Sequence, residues 1–396
     1  MRLGAPGRPP DAGAGGGMSA VAPIYLDHAA TTPLCEAARA AMLPWLGPPA
    51  NPHSAHRHGR LAHAAIETAR AEVAALAGAA APAEIAFTSG ATEANNWAIL
   101  GALTAPGQTR RRIVTVATEH SAVLESCRHL ATLGAELVEL GVDARGLIRL
   151  DEAAAAITPD TALVSIMLVN NETGVIQPVA EVAQMARAAG ALMHCDAAQA
   201  AGKLPVDAAA LGVDLLSLSA HKLYGPAGIG ALWRRPGVCL APLLHGGGQE
   251  AGRSGTLPVA LIAGFGAAAR AARAEMGGDA ARLAQLGERL RAALPAHRLN
   301  GAGAPRWPGI LSLSFDVPDG NRLLGEVTRR VSLSSGAACA AAKGRDSHVL
   351  AAMGLDRNRA RATLRIGLGR FTTEAEVDEA AAVIAGAVAA QASAAA

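Results

Sequence analysis

Short apolar runs, each bounded by Gly, Pro, Asp or Ser, recur along the chain as far as about residue 234. They predict strands at Glu84–Thr88, Arg112–Ala117, Ala135–Leu140, Thr161–Leu168, Ala191–Cys195, Leu215–Ser219 and Gly230–Trp233. Stretches with helical spacing lie between most of them, such as Gly59–Ala77, Thr92–Leu103 and Val179–Ala189. Runs that are apolar throughout, rather than alternating, suit strands buried on both faces. Strand–helix alternation of this kind predicts an α/β fold, a mostly parallel sheet covered by helices, with ligands beyond the carboxyl ends of the strands. The pattern changes after about Leu261. A long Ala/Arg helix to about Leu294 precedes short strands at Gly309–Phe315, Val331–Ser334 and Thr363–Gly367, and a last helix at Glu374–Gln391. This predicts a second, smaller α+β domain.

Composition narrows the function classes. The chain has 396 residues, enough for two domains. Aromatic residues make up only 3% against 51% hydrophobic, so the core is built from Ala, Leu, Val and Ile, with helices packed closely on small side chains. A net charge of +2 with no long basic run gives no nucleic-acid footprint. The most span-like stretch, Pro258–Met276, is broken by Arg270 and Arg273, so no membrane segment is expected. Five cysteines in no CxxC spacing argue against a disulfide framework and point to a reducing, cytoplasmic compartment. Residues 1–17 are Pro/Gly-rich without a signal-peptide core; a disordered extension over 1–18 is expected, with Met18 a candidate start.

Candidate chemistry clusters at strand ends. Only three of the 35 basic residues are lysines: Lys203, Lys222 and Lys343. Lys222 closes the run Val213-Asp-Leu-Leu-Ser-Leu-Ser-Ala-His-Lys222, where an amine can be held, partly desolvated, to form a Schiff base with a carbonyl. Ser89-Gly-Ala-Thr-Glu93 opens a helix after a strand and suits a phosphate, with Gly90, Ala91 and Thr92 as donors; an ordinary helix cap is the alternative. Asp196 and Gln199 follow another strand. A carboxylate there can pair with a protonated pyridine nitrogen and the amide with a phenolic oxygen, although Asp196 taken alone reads first as a helix N-cap. His120 could stack on a flat ring and move protons, and Asn171 could set an amide beside it; a structural histidine and a turn are the alternatives.

Together these parts become recognisable. Tyr25-Leu-Asp-His-Ala-Ala-Thr-Thr-Pro33, Phe87-Thr-Ser-Gly-Ala-Thr-Glu93, Thr118-Glu-His120, Val169-Asn-Asn-Glu172, Ser219-Ala-His-Lys-Leu-Tyr-Gly-Pro226 and Arg253-Ser-Gly-Thr256 closely resemble the cysteine desulfurases, of the class V aminotransferase group of fold-type I pyridoxal phosphate enzymes. The resemblance runs from about Tyr25 to about Thr373. It implies a large cofactor-binding domain over 34–262 and a small domain from 19–33 and 263–396 that carries the active-site cysteine loop. Lys222 would hold the cofactor as a Schiff base, with Asp196 at its ring nitrogen, Gln199 at its phenolic oxygen and His120 on its face. Thr92, Ser219 and His221 would hold the phosphate, and Thr256 would reach the phosphate of a neighbouring subunit, so a homodimer with shared sites is implied. Asn171 and Arg365 would meet the substrate, Arg365 as a fork for its carboxylate.

Cys339, in Ser334-Ser-Gly-Ala-Ala-Cys-Ala-Ala-Ala-Lys-Gly-Arg-Asp-Ser-His348, resembles the family's catalytic cysteine, with Lys343 and Arg345 as cations that favour its thiolate. The implied activity is removal of sulfur from L-cysteine, giving L-alanine and a persulfide on Cys339, with His120 as proton shuttle. The sulfur would go to an iron–sulfur scaffold protein or a sulfur-relay protein for tRNA thiolation. No catalytic metal is expected; Cys339 is a candidate contact for an iron–sulfur cluster during transfer. Selenocysteine lyase is the alternative reading, followed by an ordinary aminotransferase and a catalytically silent docking partner. Two departures stand out: Gly246–Thr256 is shortened, with Ala251 where arginine is common, and Gly344-Arg-Asp-Ser347 replaces a Leu-Glu-Pro-Ser type run.

Overall fold

The computed structural model describes residues 23–335 and 346–395. Its strands, in chain order, are β1 (Ile24–Tyr25), β2 (Ile85–Thr88), β3 (Arg112–Val116), β4 (Glu136–Leu140), β5 (Thr161–Met167), β6 (Leu192–Asp196), β7 (Leu215–Ser219), β8 (Gly230–Arg234), β9 (His297–Leu299), β10 (Ile310–Phe315), β11 (Val331–Ser332), β12 (Ser334–Ser335) and β13 (Thr363–Gly367). Seven of them form one sheet in the order β2-β8-β7-β6-β5-β3-β4. All neighbours are parallel except β8, which runs antiparallel to β7 and β2. The mostly parallel α/β sheet expected from the alternating pattern is therefore present. Every residue of β5 and β7 is buried, as strands covered on both faces require.

Helix packing follows from the small residues. The 35-residue helix Val259–Ala293 lies along Arg57–Ala77, and Gly266 makes the approach possible. A Cβ on Gly266 would sit 2.5 Å from the Cα of Ala69, closer than any real contact. A chain so poor in aromatics gains its burial by bringing backbones together rather than by filling space with rings.

The second sheet is antiparallel, in the order β12-β13-β10-β9. The run expected as one strand at Val331–Ser334 is two: β11 pairs in parallel with β1, and β12 pairs with β13, with Leu333 between them. The split arises because the N-terminal segment competes for β11, an interaction between residues about three hundred positions apart that local pattern does not carry. The bridge from Asp27 to Gly367 continues the attachment. The last helix extends over Glu374–Ala395, past the expected end at Gln391.

The shortened Gly246–Thr256 segment is anchored from within. Glu250 is buried and accepts from both Nη1 and Nη2 of Arg70 at 2.7 Å and from the amide of Phe87 in β2, also at 2.7 Å. Removing one member leaves the other charge buried without its partner, which costs about 3–5 kcal/mol. Glu250→Ala is accordingly expected to lower the thermal unfolding temperature by several degrees; a variant that melts with the parent would show the pair to be dispensable.

Candidate functional site

The carboxyl ends of β3, β5, β6 and β7 share one edge of the large sheet, and a cavity of about 430 Å³ opens there. Asp196 is the last residue of β6 and Ser219 the last of β7. His120 and Asn171 follow β3 and β5 by a few residues. All four line the cavity, with Gln199, His221, Lys222 and Arg365. The phosphate-loop candidates Gly90, Ala91 and Thr92 line it as well. Thr256 does not; it is exposed on the surface. Cys339, Lys343 and Arg345 lie outside the described residues.

At one end of the cavity the helix Ala91–Leu103 begins at Gly90 with no side-chain cap. Its first amides therefore have no capping oxygen, and an anion is the natural partner for such a terminus. Ser219 and His221 line the same cavity. Gly230 in β8 makes this geometry possible: a Cβ there would lie 2.6 Å from the Cα of Gly90 and 2.5 Å from the carbonyl oxygen of Leu218.

Deeper in, Asp196 is buried and doubly held. Its Oδ2 accepts from Asn95 Nδ2 at 2.7 Å and its Oδ1 from the amide of Ala198 at 2.9 Å. Asp196 leads into a turn and not a helix, so the helix N-cap of the alternative reading is absent, and the carboxylate faces the cavity. The Lys222 amine donates to the carbonyls of Ala29 (2.8 Å) and Ala30 (2.7 Å), so a turn far away in sequence fixes its position. Gln199 Nε2 donates to the same Ala29 carbonyl at 2.7 Å. His221 Nδ1 lies 3.1 Å from Thr31 Oγ1, and burial, then the Lys222 and Lys203 charges, push its imidazole down to about 4.

His120 caps the helix Ser121–Thr132, its Nδ1 accepting from the amide of Ala122 at 3.1 Å. That leaves the proton of the neutral ring on Nε2. Burial lowers its pKa, Asp196 opposes, and the charges of Lys222 and His348 lower it further. The ring is thus held neutral, ready to accept a proton.

Arg365 is buried on β13, its Nη2 donating to Asp27 Oδ1 at 2.8 Å and its Nη1 to the Asn171 carbonyl at 3.3 Å. Its Nε is buried without a partner among the described residues.

Several residues in or beside the cavity were not picked out from sequence. Asn95 sits one helical turn into the segment whose start was read as a phosphate site. Asp27 lies in the quoted Tyr25–Pro33 run, yet its pairing with Arg365 needs the β1 and β13 segments brought together. Glu119 is buried behind His120, with Oε1 accepting from the Met167 amide at 2.7 Å, and burial raises it well above the usual carboxylate range. Glu172 accepts from Ser347 Oγ at 2.5 Å, and His348 Nε2 donates to the Glu119 carbonyl at 2.9 Å. The chain leaving the Cys339 segment is thus pinned to two of the site's loops.

The remaining cysteines do not compete for a chemical role. Cys35, Cys127, Cys195 and Cys239 are free thiols, and none lines the cavity. Burial pushes Cys127 up to about 12 and Cys195 well above its ordinary value, so neither forms a thiolate at neutral pH.

Comparison with known proteins identifies the arrangement. The aminotransferase class-V family model matches residues 24–380. The chain belongs to the class-V aminotransferase family. It is 49% identical over 366 residues to the mitochondrial cysteine desulfurase of Arthroderma benhamiae, covering 90% of this chain and 72% of that protein. Against the mitochondrial cysteine desulfurase of Saccharomyces cerevisiae the identity is 47% over 364 residues, covering 90% of this chain and 73% of that one. Among solved structures, a NifS-like protein superposes with a TM-score of 0.86 at 36% identity, over 93% of this chain and all of that one. The fold is that of fold-type I, the cofactor is pyridoxal phosphate, and the activity is that of a cysteine desulfurase acting on L-cysteine. These relatives also correct one expectation. The low-cysteine composition pointed to the cytoplasm, whereas both fungal relatives carry mitochondrial names and point to mitochondria instead. A reducing interior is common to both compartments, so cysteine usage does not separate them.

The donor set fits the cofactor: open helix amides at one end, a held carboxylate beneath, an amine and an amide at the side. Gly230→Ala would push Gly90 aside, an overpacking cost of about 1–3 kcal/mol. It is expected to weaken pyridoxal phosphate binding to the apo-protein by about tenfold or more, measured by fluorescence titration. Unchanged affinity would mean that the phosphate is not held at Gly90.

Glu172 supplies a pH signature. Burial, opposed by Ser347 and the Arg365 charge, raises it from 4.5 to about 7. A carboxyl raised on folding adds stability that is complete below about 4.5 and is lost as pH rises through about 7. Glu172→Gln should therefore match the parent near the acid end and exceed it above neutrality, by on the order of 3 kcal/mol. Melting curves that run parallel at all pH values would refute the buried charge.

Proposed function

We propose that this site takes the sulfur from L-cysteine and passes it to Cys339 as a persulfide, for delivery to an iron–sulfur scaffold or a sulfur-relay protein. The observation that carries the reading is the meeting of Lys222, Asp196, His120 and Arg365 around one cavity at the sheet's carboxyl edge. Bound pyridoxal phosphate supplies an electron sink.

The chain's own residues do the rest. Gly90, Ala91, Thr92, Ser219 and His221 would hold the phosphate, Asp196 would keep the ring nitrogen charged, and Gln199 would serve the phenolic oxygen. Lys222 would hold the cofactor through its amine, and that amine is the base for the proton on the substrate's α-carbon. Arg365 grips the carboxylate and Asn171 borders it, so the sulfur end of cysteine is left for the thiolate. Cys339 attacks that sulfur; an S–S bond forms, the C–S bond breaks, and its electron pair stays with the carbon skeleton. Protonation of the skeleton, with His120 as the shuttle, gives L-alanine. Atoms balance without an outside oxidant, since cysteine plus a thiol yields alanine plus a persulfide.

Thr256, exposed and away from this cavity, supports a homodimer in which it completes the neighbouring site. The pairing of β1 with β11 supports a division into a cofactor-binding unit over 34–262 and a smaller unit from 19–33 and 263–396.

Mass spectrometry of the reconstituted protein after incubation with cysteine should find one added sulfur on Cys339. Cys339→Ala should lower alanine release by on the order of 10³-fold. Lys222→Ala should lose the visible absorbance expected near ~400–420 nm. Sulfur release at the parent rate from Cys339→Ala would overturn the persulfide step.

A further inference from the structure

Lys203 follows the Asp196–Gln199 turn and is not itself part of the large cavity's wall. It lies behind that wall, beside a small void bordered by His28, Tyr224 and Asp279. Its amine is enclosed by protein and donates to Gln199 Oε1 at 2.5 Å. The other end of the same amide, Nε2, donates to the Ala29 carbonyl at 2.7 Å. That carbonyl also receives the Lys222 amine at 2.8 Å. The three side chains therefore form one hydrogen-bonded chain, Lys203 to Gln199 to the Ala29 carbonyl, with Lys222 at its far end.

This chain removes an ambiguity. A glutamine amide turned end for end has nearly the same shape, so packing alone does not choose its orientation. A lysine ammonium only donates, and a carbonyl only accepts, so the Ala29 carbonyl alone already requires Nε2 on its side. With Lys203 on one side and the Ala29 carbonyl on the other, only one orientation satisfies both. The reversed amide would set oxygen against oxygen and nitrogen against ammonium. In the allowed orientation one hydrogen of Nε2 is committed to Ala29, and the second remains for a ligand in the cavity that Gln199 lines.

We propose that Lys203 is a positioning residue of the site: by holding Gln199 Oε1 it fixes which end of that amide faces the cavity, and so presents an N–H to the phenolic oxygen of the bound cofactor. The inference rests on the reading above that Gln199 faces that oxygen. The surroundings of Lys203 favour the arrangement. Burial, then the charges of Lys222 and Arg365, push its amine down to about 7. An anionic oxygen at the far side of Gln199 would draw the proton back onto Lys203 and strengthen both hydrogen bonds in the chain. His28, Tyr224 and Asp279 are the other titratable groups bordering the void.

The test uses the full chain reconstituted with pyridoxal phosphate and reads the pH midpoint of the cofactor's visible absorbance, which reports protonation at the cofactor rather than turnover. An N–H at the phenolic oxygen, backed by a positive charge, favours loss of the neighbouring proton. Lys203→Met, matched in length, should therefore raise the midpoint by about one pH unit. In a Gln199→Met background the same substitution should leave the midpoint where that background sets it, because the lysine acts through the amide. Lys203→Leu, which likewise offers no donor, carries the same expectation of a raised midpoint should the methionine variant fold poorly. A midpoint equal to the parent's in the folded single variants, or a full shift persisting without Gln199, would overturn the positioning role. Retention of the visible band in Lys222→Ala would overturn the site reading itself, and this inference with it.

Discussion

The turn at Asp27–Thr32 holds the site together. It belongs to neither the large sheet nor the antiparallel one, yet each is tied to it. Its Ala29 and Ala30 carbonyls receive Lys222, Ala29 also receives Gln199, and Thr32 Oγ1 both donates to the His221 carbonyl at 2.9 Å and accepts from the Tyr224 amide at 2.7 Å. On its other side Asp27 accepts from Arg365 and, at 2.7 Å, from Ser334 Oγ. One backbone turn thus sets the distance between the Lys222 amine and the Arg365 guanidinium. Carbonyls do this well, since their positions follow from the backbone and lose no side-chain entropy on being fixed.

Asp27 gives that turn a functional consequence. Its carboxylate is shared between Arg365 and Ser334, and Ser334 begins the segment that leads to Cys339. The far side of that segment is held by Ser347 on Glu172 and by His348 on the Glu119 carbonyl. The stretch that contains Cys339 is therefore flanked on both sides by residues fastened to loops that line the cavity. Sulfur transfer needs a thiol that reaches the substrate and then an acceptor. Two fixed ends with a small-residue run between them, Gly336-Ala-Ala-Cys-Ala-Ala-Ala-Lys-Gly344, are a composition suited to that reach.

Burial also disfavours charge on several groups at and behind the cavity. Glu119, Glu172, His194 and Lys203 all have ionisation disfavoured by burial. Arg70 and Glu250, buried away from the cavity, are instead paired at 2.7 Å. Uncompensated desolvation near the cofactor keeps groups neutral that can then respond to charge brought in by ligands, a response unavailable to a paired ion.

The sequence by itself determined the strand–helix alternation, the sheet's parallel character and the residues at its carboxyl edge. These are local: apolar runs, turn residues and the motif around Lys222 are each legible within a dozen positions. It also marked Asp196 as a carboxylate at a strand end, where the cavity opens. What only the tertiary structure decided are the contacts between distant segments. β11 pairs with β1 instead of continuing into β12, Asp27 meets Arg365, Glu250 reaches β2, and Lys203 orients Gln199. Each depends on which backbone carbonyl or carboxylate is left facing a donor once the sheets have packed, and no periodicity along the chain records that.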